Sequence, residues 1–241
     1  MPLSTKPIPP RERLIVALDL PTHNQAKQLV EILGEEVSFY KIGLELFMAG
    51  DCFSLIDWLR RQGKKVFVDL KFYDIPATVE RAVRALSRTE VQFATVHGDQ
   101  AIMQAAARGK EKTLKILAVT LLTSLDAQAV RDMGYAEDPS SLVLKRARQA
   151  WQAGLDGVIA SGQEAAVIRK TLAGDFLIVT PGIRSDLDQR DDQRRTTTLA
   201  QAFADGADYV VIGRPIRDAA DPKSAALAFQ DQIRKIFERH R

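Results

Sequence analysis

The amino-acid sequence predicts a single (β/α)8 TIM barrel, and three observations lead there. Eight short apolar runs recur along the chain, at residues 14–18, 37–42, 65–70, 91–96, 114–119, 157–160, 176–180 and 209–212. Most are near-continuous in Val, Ile, Leu and Phe rather than alternating, as expected of parallel strands covered on both faces. The stretches between them have helical character with readable boundaries. Thr22 suits an N-cap before Gln25, Pro76 suits a first helical position, and Gly63 and Gly154 suit helix ends. Finally, the first run ends in Leu18-Asp19-Leu20-Pro21, without the glycine-rich turn that an open doubly wound sheet usually carries there.

At 241 residues, 46% hydrophobic and 27% charged, the chain is long enough to bury one large core. Residues 1–12 form a proline-rich leader, poor in apolar residues and expected to be mobile, and 13–241 form the barrel domain. No apolar run is long enough to cross a bilayer, and residues 1–13 lack the apolar core and cleavage pattern of a signal peptide. No membrane association and a cytoplasmic location are therefore expected. The lone Cys52 cannot form an internal disulfide, and the scattered His23, His97 and His240 supply no close-spaced metal ligands, so no metal site is expected.

The 34 basic and 31 acidic residues leave a net charge of +3, too mild to argue for a nucleic-acid partner. Basic residues do gather late in the chain, at Arg184, Arg190, Arg194, Arg195, Arg214 and Arg217, which suits a small anion. Arg190 and Arg217 read as solvated surface groups.

Four ionisable residues, Asp19, Lys41, Asp69 and Lys71, fall at or just past the ends of the first three runs. In a barrel, that end of the strands holds the catalytic groups. Side chains two apart on a strand share a face, so Asp69 and Lys71 point together while Leu70 points away. Asp74 lies beyond the strand. One strand-end charge can simply meet solvent, but four converging on one mouth need a further reason. A lysine held between carboxylates keeps its proton, which suits proton delivery to a carbanion and does not suit Schiff-base chemistry.

Pro181-Gly182-Ile183-Arg184 follows the seventh run and Gly213-Arg214 the eighth, where barrels commonly bind phosphate. The Gly213 N–H and the two guanidinium groups are the candidate donors, with plain turns as the alternative for the glycines. Residues 184–198 are long for a barrel connection and nearly devoid of apolar side chains, and read as a mobile lid. His97 reads as a packed strand-end histidine.

The segment Asp69-Leu70-Lys71-Phe72-Tyr73-Asp74-Ile75-Pro76, followed by Thr78, does not stand alone. It occurs in order with Ala17-Leu18-Asp19, Tyr40-Lys41-Ile42-Gly43, Leu122-Thr123-Ser124, Thr180-Pro181-Gly182-Ile183-Arg184, Asp191-Asp192-Gln193 and Ile212-Gly213-Arg214-Pro215. In this ordered set the chain resembles the orotidine 5'-phosphate decarboxylases, over about residues 13–217. The resemblance implies decarboxylation of orotidine 5'-phosphate to uridine 5'-phosphate and CO2 in UMP biosynthesis, without cofactor or metal, by a homodimeric barrel.

It also implies roles. Asp19 and Lys41 bind ribose hydroxyls, Asp69 sits against the substrate carboxylate, and Lys71 protonates C6. Asp74, Ile75 and Thr78 serve the partner's pocket. Thr123 contacts the base, with a helix cap alongside Ser124 as its alternative role. Gln193, with Arg184, Gly213 and Arg214, binds phosphate. The chain departs from the commoner family pattern at Phe72-Tyr73, where Leu-His is frequent, at Ala77, where Asn is frequent, and after His97, where Gly98-Asp99-Gln100 lacks the usual small-residue run.

Two rival readings stand beside this one. The related 3-keto-gulonate-phosphate decarboxylases carry a similar Asp-x-Lys-x-x-Asp pattern and depend on magnesium. Ile75-Pro76, Gln193 and the Asp19/Lys41 pair favour the pyrimidine nucleotide instead. A non-catalytic nucleotide binder is the other rival, but it has no evident use for the intact Asp69, Lys71 and Asp74.

Overall fold

All eight apolar runs form strands, and parallel pairing closes them into a barrel. The computed structural model describes residues 3–111, 113–172, 174–184 and 197–238. In chain order these hold β1 (Leu14–Ala17), α1 (His23–Leu33), β2 (Phe39–Gly43), α2 (Leu44–Met48), α3 (Cys52–Arg61), β3 (Lys65–Phe72) and α4 (Pro76–Ser87). Then come β4 (Phe93–His97), α5 (Gln100–Gly109), β5 (Lys115–Val119), α6 (Ala127–Asp132), α7 (Pro139–Gln152), β6 (Gly157–Ile159), α8 (Gly162–Thr171) and β7 (Leu177–Thr180). A small parallel pair, β8 (Ile183–Arg184) and β9 (Thr197–Thr198), precedes α9 (Leu199–Ala204), β10 (Tyr209–Ile212), α10 (Arg214–Arg217) and α11 (Pro222–Glu238). The barrel order is β1-β10-β7-β6-β5-β4-β3-β2.

The expected helix signals act where the sequence puts them. Thr22 caps α1 by accepting from the Gln25 N–H, and Pro76 occupies the first turn of α4. Gly63 and Gly154 follow α3 and α7 with φ of +70° and +81°, the left-handed region that favours glycine after a helix. Among the described residues no helix is long and apolar enough to cross a membrane.

Strand alternation splits the buried residues into two cores. Outward residues such as Val16, Tyr40, Ile42, Val66 and Val68 pack under the helices. Inward residues fill the barrel, where the Phe93 ring lies 5.1 Å from those of both Phe39 and Tyr209 and 5.9 Å from that of Phe67. These aromatics plug the barrel beneath the C-terminal ends of the strands, so the cavity above has an apolar floor.

The leader contacts the opposite end of the barrel. Leu3 and Ile8 pack against the outer and inner cores, respectively. Ser4 Oγ and Lys6 Nζ donate to the Asp208 carboxylate, Lys6 Nζ also to the Phe176 carbonyl at 3.0 Å, and Arg13 Nη2 to the Lys6 carbonyl at 3.1 Å. Asp208 is completely buried and also accepts from Arg169 Nη2 at 2.6 Å and the Ile178 N–H at 2.9 Å. Removing one partner of a buried ion pair leaves the other charge uncompensated. Asp208→Ala is expected to lower stability by about 3–5 kcal/mol in urea denaturation. The charged groups at the C-terminal ends of the strands should be undisturbed in the folded variant, because Asp208 precedes β10 and lies at the other end of the barrel.

Candidate active site

Three neighbouring strands deliver four charges to one mouth. Lys41 Nζ on β2 donates to Asp19 Oδ1, just past β1, at 2.9 Å and lies 3.6 Å from Asp69 Oδ2 on β3. Lys71 Nζ donates to Asp69 Oδ1 at 3.0 Å. The result is an alternating chain, Asp19–Lys41–Asp69–Lys71. Its middle is enclosed: the Lys41 and Asp69 side chains are 10% and 15% exposed, against 39% for both Asp19 and Lys71.

Electrostatics outweigh desolvation at this centre. Burial disfavours the Asp69 carboxylate, but the charges of Lys41 and Lys71 prevail and its pKa is lowered. Burial likewise disfavours the Lys41 ammonium, but Asp69 and Asp19 raise its pKa. Both groups are therefore held charged.

The backbone is shaped around this chain. A Cβ at Gly43 would lie 2.7 Å from Asp19 Oδ1 and 2.9 Å from Lys41 Nζ, so a side chain there would intrude on the ion pair. In β3, Val68 pairs with Ala94 and Phe72 with Val96, with a register shift between them. Lys71 has φ of +51°, rare for a residue with a side chain. Leu70 and Phe72 still turn outward against the helical layer while Asp69 and Lys71 enter the mouth, as strand parity predicts. At the bulge, fully buried Thr95 on β4 accepts from the Lys71 N–H at 2.9 Å and donates to Asp69 Oδ1 at 2.8 Å.

A cavity of about 330 Å³ opens over the array. Its apolar lining includes Ala17, Phe67, Val119, Ile159 and Val211, and its polar lining includes Asp19, Lys41, Asp69, Lys71, Thr123, Arg214 and Arg217, with Gly182 and Gly213 lining the same cavity. Thr123 does not cap a helix: α6 starts at Ala127, and Asp126 is its cap, accepting from the Ala129 N–H at 2.9 Å. Gly182 turns with φ of +76°.

Arg217 departs from the expectation of a solvated surface group. Its Nη1 donates to the Asp19 carbonyl at 2.5 Å, and its side chain is only 19% exposed. The four-residue helix α10 thus carries Arg214 and Arg217 three residues apart, both onto the cavity.

Asp74, Ile75 and Thr78 do not line this cavity. Asp74 is exposed and accepts from the Ile75 N–H at 2.6 Å, Ile75 is 67% exposed, and Thr78 accepts from Arg81 at 3.4 Å. His97 is a packed histidine, its ring 4.4 Å from that of Tyr73, with its pKa lowered by burial and by Arg146. Gln193, Arg190, residues 185–196 of the lid expected over 184–198, and the Arg184 side chain lie outside the described residues.

The sequence did not single out Thr95, carried Gly43 only within the Tyr40-Lys41-Ile42-Gly43 motif, and left Arg217 as a surface group. Thr95 had one signal, a hydroxyl at the same strand parity as inward-facing Phe93.

Residues 12–229 match the model of the "Orotidine 5'-phosphate decarboxylase / HUMPS family". The chain belongs to this family. It is 59% identical over 236 residues to an orotidine 5'-phosphate decarboxylase of Methylococcus capsulatus, covering 98% of this chain and 97% of that one. It is 52% identical over 229 residues to one of Xanthomonas euvesicatoria, covering 95% and 94%. The crystal structure of orotidine 5'-phosphate decarboxylase from Lactobacillus acidophilus superimposes with a TM-score of 0.81 at 34% identity, covering 92% of this chain and 99% of that one.

The geometry of the charge array supports two predictions. Gly43→Ala is expected to fold, because the atoms in its way are the far ends of Asp19 and Lys41, but to lower kcat by about 10²-fold through displacement of the array. Wild-type melting with wild-type kcat would show that the array tolerates the methyl. The second concerns pH. A depressed Asp69 pKa means that its stabilisation is present above the ordinary carboxylate value and is lost as pH falls through the depressed one. The stability difference between wild type and Asp69→Asn should thus be flat from about pH 5 to about pH 9 and shrink at more acidic pH, as read by urea denaturation.

Proposed function

We infer that this chain decarboxylates orotidine 5'-phosphate to uridine 5'-phosphate and CO2, the last step of de novo UMP biosynthesis, without cofactor or metal. The observation that carries this reading is the alternating Asp19–Lys41–Asp69–Lys71 chain along one wall of a cavity whose other wall holds Gly213 and Arg214. The array suits the reacting pyrimidine and ribose, and the arginine side suits a phosphate.

Breaking the bond to the carboxylate leaves an electron pair at C6 and releases neutral CO2. Lowering that barrier calls for roughly 20 kcal/mol, near the top of the enzymic range. A preorganised ammonium beside the developing carbanion supplies the largest part, since it need not reorganise as charge appears. Lys71 takes this role and then gives its proton to C6, leaving a neutral amine that solvent reprotonates. Asp69 holds Lys71 by its Oδ1 and faces the substrate carboxylate, where repulsion adds a secondary ground-state effect. Asp19 and Lys41 bind ribose hydroxyls, and Thr123 contacts the base. Arg214, the Gly213 N–H, Arg184 and Gln193 grip the phosphate. Binding energy gained there, remote from C6, assists the chemical step if it is realised on closure.

The working unit is a homodimer in which Asp74, Ile75 and Thr78 complete the partner's site. Support comes from their position outside their own cavity and from the exposure of apolar Leu44, Met48, Tyr73 and Ile75 just beyond β2 and β3. The enzyme works in the cytoplasm, consistent with soluble substrates.

Purified protein should consume orotidylate, read as loss of its absorbance, equally well with and without EDTA. Loss of activity with chelator and its return with magnesium would favour the sugar-phosphate reading. Lys71→Ala should lower kcat by at least about 10³-fold while binding of uridine 5'-phosphate stays measurable. Mixing Asp74→Asn and Lys71→Ala subunits should restore activity at about a quarter of the sites, because half the dimers are hybrids with one intact site each. No rescue despite demonstrated subunit exchange would return Asp74 to its own subunit.

A further inference from the structure

We propose that Thr95 is a positioning residue for the reaction, its single hydroxyl fixing both the Asp69 carboxylate and the Lys71 main chain at the bulge of β3. The proposal rests on the reading above, in which Asp69 and Lys71 carry the chemistry. Between the Val68–Ala94 and Phe72–Val96 pairs, the β3 residues Asp69, Leu70 and Lys71 face only Thr95 on β4. The regular ladder is interrupted there, and a backbone donor enclosed without a partner is strongly disfavoured. Thr95 Oγ1 takes the missing place, accepting from the Lys71 N–H at 2.9 Å. Lys71 sits at φ of +51°, a conformation that persists in a non-glycine residue only when its surroundings hold it.

The same oxygen carries the hydroxyl proton to Asp69 Oδ1 at 2.8 Å. Its geometry uses both capacities of a hydroxyl at once, donor and acceptor. Asp69 is thereby fixed from three strands. Lys41 of β2 faces Oδ2 at 3.6 Å, while Lys71 of β3 and Thr95 of β4 share Oδ1; Asp19, past β1, reaches the group only through Lys41. Without the hydroxyl, the carboxylate gains freedom to rotate about its last bond and the Lys71 backbone loses its tether. Thr95 is completely buried, so bulk solvent does not contact these groups in place of its hydroxyl.

Three variants separate the hydroxyl from the methyl. Thr95→Val keeps the shape and removes the hydroxyl, Thr95→Ser keeps the hydroxyl, and Thr95→Ala removes both. In Val and Ala, kcat for orotidine 5'-phosphate should fall by about 10²-fold or more, while affinity for uridine 5'-phosphate changes by no more than about threefold. The acid limb of the kcat–pH profile should move to higher pH, because a donor to the Asp69 carboxylate has been lost. Thr95→Ser should recover kcat to within about tenfold of wild type and restore the acid limb.

Wild-type kcat in Thr95→Val overturns the proposal, as does an equal loss in Ser and Ala, which would assign the effect to packing. If Val does not fold, the Ser–Ala comparison decides in the same way. Lys71→Ala separates the two levels of the argument. An active Lys71→Ala brings down the catalytic reading and this proposal with it, whereas an inactive Lys71→Ala beside a fully active Thr95→Val refutes the role of Thr95 alone.

Discussion

A carboxylate held in a nearly closed site between two ammonium groups sets the terms for the rest of this molecule. An isolated charge at the position of Asp69 would be expelled or neutralised, because the solvation it loses is worth several kcal/mol. Lys41 and Lys71 keep it ionised, and it keeps them in place. Such an arrangement needs partners from different strands at one level, and a closed parallel barrel provides that by bringing β1, β2 and β3 side by side. The aromatic plug of Phe39, Phe67, Phe93 and Tyr209 excludes water from below, so the charges interact in a medium of lower polarity than bulk water. Gly43 leaves the space in which Asp19 and Lys41 meet.

The other side of the cavity is coupled to the array by geometry. α10 presents Arg214 and Arg217 to the cavity, and Arg217 donates to the carbonyl of Asp19, whose carboxylate pairs with Lys41. The segment suited to phosphate and the first residue of the charge chain therefore share one short connection. Arg217 also pairs with Asp218, with Nε–Oδ1 at 2.6 Å and Nη2–Oδ2 at 2.9 Å, so its guanidinium is held from two sides. Rigid connections of this kind let binding at one end of a substrate define geometry at the other.

Much of this was legible in the sequence because it follows from periodicity and position. The eight runs, the cap at Thr22, and the parity that sends Asp69 and Lys71 inward with Leu70 outward are local rules, and the structure obeys them. The bulge was not legible, since no glycine marks it and Lys71 adopts its φ of +51° through contacts made to β4. Thr95 was one unremarked residue of an apolar run, and Arg217 looked like a surface cation, because the hydrogen bonds that define them reach partners 24, 26 and 198 residues distant. The leader was read by its scarcity of apolar residues, while its contacts depend largely on Ser4 and Lys6 meeting Asp208. Tyr73, a departure from the commoner pattern, packs against His97 with the rings tilted at 42°, outside the cavity.

The charge balance explains why rigidity matters more here than acid strength. Asp19, Lys41, Asp69 and Lys71 sum to zero, so on the proposed reading the substrate carboxylate brings one negative charge to a neutral array. On that reading the charge remains on C6 when CO2 departs, and the proton of Lys71 then neutralises it. The net charge over array and reacting centre stays the same throughout; only its location changes. An ammonium free to follow the carboxylate would stabilise reactant and transition state alike and accelerate nothing. One fixed toward C6 favours the state in which charge has arrived there. Tethering the Lys71 backbone at a bulge, its ammonium to Asp69, and Asp69 to Lys41 restrains that cation at both ends. On the proposed reading, the unusual backbone at Lys71 is the conformation that holds the ammonium still while the charge moves.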